Sequence, residues 1–357
     1  MSEGSTQLAD SKPAFDVPLR VAAPANAPVR IMNPGHDDLL LKSVFSCSAY
    51  VLNKQLVTDY VNGTYKDTMP TEVPTITEGT DASLKTATRD FQLLAHSSKR
   101  AGKKDVEATA YVSLGVINDN NHELLAAIKN YKDYLTVCEE IGDTIGASCA
   151  CNCIGVDYML LACPHSDSGT LFGCTLTSVT TEYLNRAIYY HSKHLDISPD
   201  NGGKFVANIN LGLCLGMVGD IVQAAKNNQE ALRIAIKMQT LYGQSIAVGN
   251  LGNLAIKKKD YATAKTCFEQ HLQLIQALVD PEAELKAWMM LAKITKQENK
   301  HDLTVDNLQQ ALKIAIKENL RNEIGRINSM IGMAKGMDNF SNYCSELNYA
   351  LENYSSS

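Results

Sequence analysis

A large aliphatic residue followed by a small one, Leu-Gly or a near equivalent, returns through this chain at a fixed interval. The pair occurs as Leu114-Gly115, Ile154-Gly155, Leu211-Gly212, Leu251-Gly252, Leu291-Ala292 and Ile331-Gly332, and four of the five intervals between the small residues are forty residues long, the remaining one fifty-seven. A period of this size marks one supersecondary unit stacked many times, and it limits the fold more than any local motif does. From Asp81 onward helix-period segments alternate with short turns, and no strand-like alternation competes. Within a unit, twelve residues separate the marker from a small residue on the second helix: Gly115 and Ala127, Gly212 and Ala224, Gly252 and Ala264, Ala292 and Thr304. That spacing predicts an antiparallel helix pair whose close crossing needs small side chains.

Turn chemistry agrees with these boundaries. Gly142-Asp143, Gly219-Asp220, Asp260 and Pro281 fall where the helices must reverse. The segments Ala231–Lys237 and Ala311–Lys317 are nearly identical and lie two whole periods apart. An aromatic, Tyr131 or Phe268, follows the small residue of the second helix by four positions, and Ala231-Leu232 or Ala311-Leu312 comes further on. On these residues, roughly 81–354, the chain resembles the tetratricopeptide family, in the forty-residue form of cell-polarity adaptors and several ciliary proteins. The proline that closes many thirty-four-residue repeats is replaced by longer helices and Gly-Asp turns. The resemblance implies an all-α, right-handed α-solenoid of about six helix-turn-helix units that binds proteins.

Three segments organise the chain. Residues 1–36 carry five of the ten prolines among Ala, Ser and Val, a composition that predicts a disordered arm. Over 37–80 an amphipathic helix with Leu40, Val44, Val51 and Leu56 is predicted to cap the array and to be followed by a Pro/Gly/Thr connector. The solenoid takes up 81–357. One unit departs from its pattern: Gly155 and Ala187 are thirty-two residues apart instead of twelve, which places an insertion at about 163–181 between its two helices.

The net charge of −6 gives no overall attraction to nucleic-acid phosphates or anionic membranes. No apolar run is read as a membrane span, and the start lacks the pattern of a secretory leader. Ten cysteines without secretion predict reduced thiols, hence a cytoplasmic protein, in the cytoskeleton or a cilium if the family context carries over.

Candidate chemistry is sparse. Cys149, Cys151 and Cys153, near Cys163, His165, His191 and His194, lack the pair spacing of structural zinc and are read as small apolar residues at a tight helix crossing. There is no phosphate loop, no H-E-x-x-H and no nucleophile elbow, and Gly212, Gly216 and Gly219 sit in a helical segment. No catalytic residue, metal or cofactor is predicted.

The resemblance also implies that the first helix of each unit lines a concave groove, so that positions forty residues apart become rungs of one ladder. Lys286 is then equivalent to Arg326, Asn253 to Lys293, and Asn210 to Asn250. Lys293 and Lys296 share a helical face, Lys286 lies two turns before Lys293, and Lys257 lies one turn from Asn253. These eight residues are the predicted partner site: the amides hydrogen-bond the backbone of an acidic or phosphorylated segment and the cations neutralise it. The two-lysine clamp of chaperone-binding relatives is not met, because Val112 and Val116 occupy first-repeat clamp positions. Trp288 is read as core, and Tyr343, Tyr349 and Tyr354 as part of a polar terminal cap. The expected role is a scaffold in a multiprotein assembly. A structural element packed permanently on a microtubule, or a regulatory subunit of an enzyme, are alternatives.

Overall fold

The computed structural model describes residues 81–163 and 176–355. Among them are twelve α-helices and no strand: α1 Asp81–Ala101, α2 Lys104–Asn120, α3 Leu124–Ile141, α4 Thr144–Ala162, α5 Ser178–Ile197, α6 Asn201–Val218, α7 Ile221–Lys237, α8 Leu241–Lys257, α9 Tyr261–Leu278, α10 Pro281–Gln297, α11 His301–Lys317 and α12 Arg321–Ser355. They fall into two compact units that divide between Thr240 and Leu241. In the first, α1 to α7 each pack on their sequence neighbours, and α4 also touches α6; in the second, α8 to α12 pack in the same consecutive way. The fold is all-α and built from helical hairpins. The predicted arm and capping helix at 1–36 and 37–80 lie outside the described residues.

The forty-residue period consists of two similar halves. A residue with positive φ closes the helices at Gly102, His122 and Gly142, and again at Gly219, Gln239, Lys259, Val279, Asn299 and Asn319, twenty residues apart on either side of the insertion. The chain reverses in the same way at both ends of a hairpin: the amide after the left-handed residue bonds a carbonyl five residues back, as in Lys103 to Ser98 at 2.9 Å, Glu123 to Asn118 at 2.8 Å and Leu320 to Ala315 at 2.9 Å. The predicted Asp residues then start the next helix, their carboxylates accepting from first-turn amides: Asp143 from Gly146 at 2.9 Å, Asp220 from Gln223 at 3.0 Å and Asp260 from Thr263 at 3.1 Å. Pro281 stands in the first turn of α10, behind the cap Asp280.

Five hairpins carry both markers: α2/α3, α4/α5, α6/α7, α8/α9 and α10/α11. The small second-helix residues Ala127, Ala187, Ala224 and Ala264 are fully buried. The marker glycine, however, makes room for a large side chain four residues beyond that alanine. A Cβ on Gly115 would meet the Tyr131 ring, its Cζ at 2.9 Å; on Gly155 it would meet His191 at 2.6 Å; on Gly212, Asn228; on Gly252, Phe268 at 2.7 Å. The sixth marker differs. Nothing lies within 4 Å of a Cβ built at Gly332, because α12 runs on through this position and among the described residues no second helix follows to face it. The described array therefore contains five marker hairpins, preceded by α1 and followed by the terminal helix α12, where the period predicted about six units.

Most of the predicted insertion lies outside the described residues; Ser178 to Thr181 form the first turn of α5. Thr177 and Thr180 exchange side-chain bonds with each other's amides, at 2.7 and 3.2 Å, and fix that start. Thr144–Ala162 is long and apolar enough to cross a bilayer by length and composition, with 83% of its apolar window buried inside the protein. Such all-round apolarity suits a helix packed against α3, α5 and α6.

Candidate partner-binding surfaces

The eight predicted site residues do not form one uniform set. Asn210 and Asn250 are interior, at 0% and 1% exposure. The Asn210 amide donates to the Asn152 side-chain oxygen at 2.9 Å, joining α6 to α4 where these two first helices touch. Both amides were expected to meet a bound backbone; in this structure Asn210 uses its donor to join neighbouring first helices, and Asn250 is closed off from solvent. Val112 and Val116, at the clamp positions, are core residues.

The charged members all belong to the second unit. Lys257 and Asn253 are on α8, Lys286, Lys293 and Lys296 on α10, and Arg326 on α12. Lys286 is tied to Glu282 at 2.7 Å and Arg326 to Glu323 at 2.7 Å, each on its own helix. Exposed pairs of this kind contribute little to stability and open readily to a competing anion. Lys296 is exposed and Asn253 half-buried. Lys293 is half-buried, and burial alone pushes its ammonium below the usual lysine range, with no carboxylate raising it again. Burial lowers Lys257 likewise.

A second cationic cluster escaped the sequence reading. Tyr158 of α4 is stacked between Tyr183 and Tyr190 of α5, at centroid separations of 6.1 and 6.0 Å. Lys132 of α3 donates to the Tyr158 hydroxyl at 2.9 Å and lies over the Tyr158 and Tyr190 rings at 5.4 and 5.7 Å. Arg186 donates to the same oxygen at 3.4 Å. Burial pushes the Tyr158 phenol up, but the bonds from Lys132 and Arg186 outweigh it and leave the phenol below its ordinary value. The only local hint in the sequence was the run of tyrosines on α5; nothing local pairs them with a lysine twenty-six residues before Tyr158.

Other polar groups are sealed inside the first unit. His191 and His194 are buried, and desolvation lowers them to about 3 and about 4, the charge of His194 adding to the effect on His191. Asp157 is buried, and desolvation together with Asp119 pushes its carboxyl far above the carboxylate range. Cys151 is raised to about 12 by burial, which removes thiolate character. Among the described residues no group of His, Cys, Asp or Glu is arranged to hold a metal ion. Trp288 packs against the core formed by Leu285, Ala292, Leu308, Ala311, Ala315 and Ile327, as predicted.

Repeated hairpins with a small-residue crossing and one shared turn define an all-α helical-repeat fold. No protein-family model and no curated protein matches this sequence. Solved structures do. The crystal structure of BtubC (BKLC) from P. vanneervenii is similar with a TM-score of 0.50 and 17% identity, over 67% of this chain and 93% of that one. A signal transduction ATPase with a tetratricopeptide repeat sensor from Pyrococcus horikoshii gives 0.49 and 13% identity, over 85% of this chain and 44% of that one. The apo form of RapI gives 0.49 and 15% identity, over 88% and 93%. At these identities the likeness is one of fold.

Proposed function

We propose that this chain is a non-catalytic protein-binding scaffold in a multiprotein assembly, and that the cations of α8, α10 and α12 take an acidic or phosphorylated segment of a partner. The observation that carries the reading is Lys293. Holding a half-buried ammonium that no carboxylate among the described residues offsets costs folding free energy, and an arriving anion recovers that cost. Lys286 and Arg326 each pair with a carboxylate on their own helix, where an arriving anion can compete. The forty-residue repeat form supports a cytoplasmic setting within a cytoskeletal or ciliary structure, by analogy of fold.

The test is affinity purification of the native chain beside a Lys286→Glu, Lys293→Glu, Arg326→Glu variant shown by circular dichroism to stay helical. Loss of one acidic partner while others persist supports the reading. An unchanged partner list overturns it.

A further inference from the structure

The last helix is twice as long as the helices it follows. α12 has 35 residues against 17 for α11, its packing partner, and spans about 52 Å at 1.5 Å per residue. The residues it contributes to the core, Ile324, Ile327, Met330 and Ile331, lie in its first eleven positions, and among the residues whose burial is described Ala334 is the last buried one. Beyond Ala334, through Tyr349, each residue whose burial is described is exposed, apart from the half-buried Cys344. Part of this surface is apolar: Met333, Met337, Phe340 and Leu347 are exposed, Phe340 to 67%. This departs from the polar face that a terminal cap requires, although Tyr343 and Tyr349 are exposed as predicted.

The apolar residues are not scattered. Met333, Met337, Phe340, Cys344 and Leu347 follow one another at intervals of four, three, four and three, and the sequence continues the series at Leu351 and Tyr354. The mean interval is 3.5, the period of a helix seam that stays in contact with a second helix of the same period. In that register Met337, Cys344 and Leu351 take the a positions and Met333, Phe340, Leu347 and Tyr354 the d positions. The flanking g and e positions hold Gly336, Tyr343, Ala350, Ala334, Ser341 and Asn348, none of them charged. The charged residues of this stretch, Lys335, Asp338, Glu346 and Glu352, all fall at b, c or f, away from the seam.

We propose that the distal part of α12 is a self-association helix, and that two copies of this chain pair through the Met333–Leu347 seam. A second copy is the occupant that this pattern fits. Its period is identical, and neutral flanks let two identical helices meet without like charges opposing across the interface, the usual device by which such helices reject themselves. The contact is isologous: one patch meets its own copy, which closes the assembly at two. The seam is separate from the basic residues that carry the proposed function, so the failure of either leaves the other standing.

The experiment is sedimentation equilibrium on the full chain over a range of concentrations, with Phe340→Asp, Leu347→Asp and, as a control on the opposite face, Tyr349→Asp. The wild type and the control are expected to give twice the chain mass and the two seam variants the single mass, with circular dichroism showing helical content retained. Wild-type chain that remains monomeric overturns the proposal, whether its own residues or another protein then cover the seam. So does a seam variant that stays dimeric.

Discussion

The imidazole of His191 stands where a side chain on Gly155 would have to be, its Cε1 and Nε2 2.6 Å from the Cβ position that glycine leaves empty. In the hairpins carrying Gly115 and Gly252 the same place is filled by Tyr131 and Phe268, so His191 is an aromatic of the repeat replaced by a polar ring. Burial holds it neutral, at about 3. A histidine whose folded value lies below its ordinary 6.5 stabilises the fold above 6.5 and loses that contribution as pH falls toward 3, since the unfolded chain binds the proton first. His194 and His271, at about 4, act in the same direction; Asp157, raised by burial, acts in the opposite one. His191→Phe is expected to raise stability by about 1 kcal/mol at pH 6 and to flatten the loss on acidification, read by urea melts from pH 7 to pH 4. A steeper acid loss in the variant would contradict this account.

Gly115→Ala and Gly252→Ala press a methyl group onto Tyr131 and Phe268, whose rings sit in closed packing, and each is expected to cost about 1–3 kcal/mol. Gly332→Ala carries the same sequence change into open space and should instead stabilise by about 0.5–1 kcal/mol, as alanine does in an exposed helix. Thermal melts of the three variants test whether the marker acts through its facing helix.

Val279 holds φ 55° at the turn after α9, a strained conformation for a β-branched residue, and its side chain is 83% exposed. Val279→Gly removes the strain and loses almost no packing. It should raise the stability of the second unit by about 1 kcal/mol in denaturant melts, whereas the same change at a core valine such as Val248 would lower it.

Removing one partner of the Asn152–Asn210 bond leaves a buried amide unsatisfied, so Asn210→Ala should cost about 1–3 kcal/mol. Asn152→Ala with Asn210→Ala should cost less than the sum of the two single changes. A double-mutant cycle reads the coupling between α4 and α6 directly, and strict additivity would mean that the bond contributes nothing.

Lys293→Met keeps the apolar stem of the lysine and removes an ammonium that burial disfavours. Thermal stability is expected to hold or rise while capture of the acidic partner falls. A variant that loses stability as well would mark Lys293 as a structural residue.

Much of this fold is legible in the sequence because its information is local. The marker period, the apolar helix spacing and the Asp caps each act within one turn or one hairpin, and they located the helices. The terminal helix was legible only in part: its marker repeats on schedule, but the absence of a facing helix is a matter of what lies beside it. The Asn152–Asn210 bond spans fifty-eight positions and the Lys132–Tyr158 bond twenty-six, and no periodicity states which side chain meets which across such separations. Of the predicted partner site, the cations are surface or half-buried and the asparagines Asn210 and Asn250 interior, a distinction that depends on how first helices pack against their neighbours. The sequence by itself determined a repeating helical chain and its turns, through steric and hydrogen-bonding preferences that operate over a few residues. Only the tertiary structure decided which polar groups are sealed, which cation is half-buried and which apolar face is left open, because burial is a property of neighbours that folding brings together.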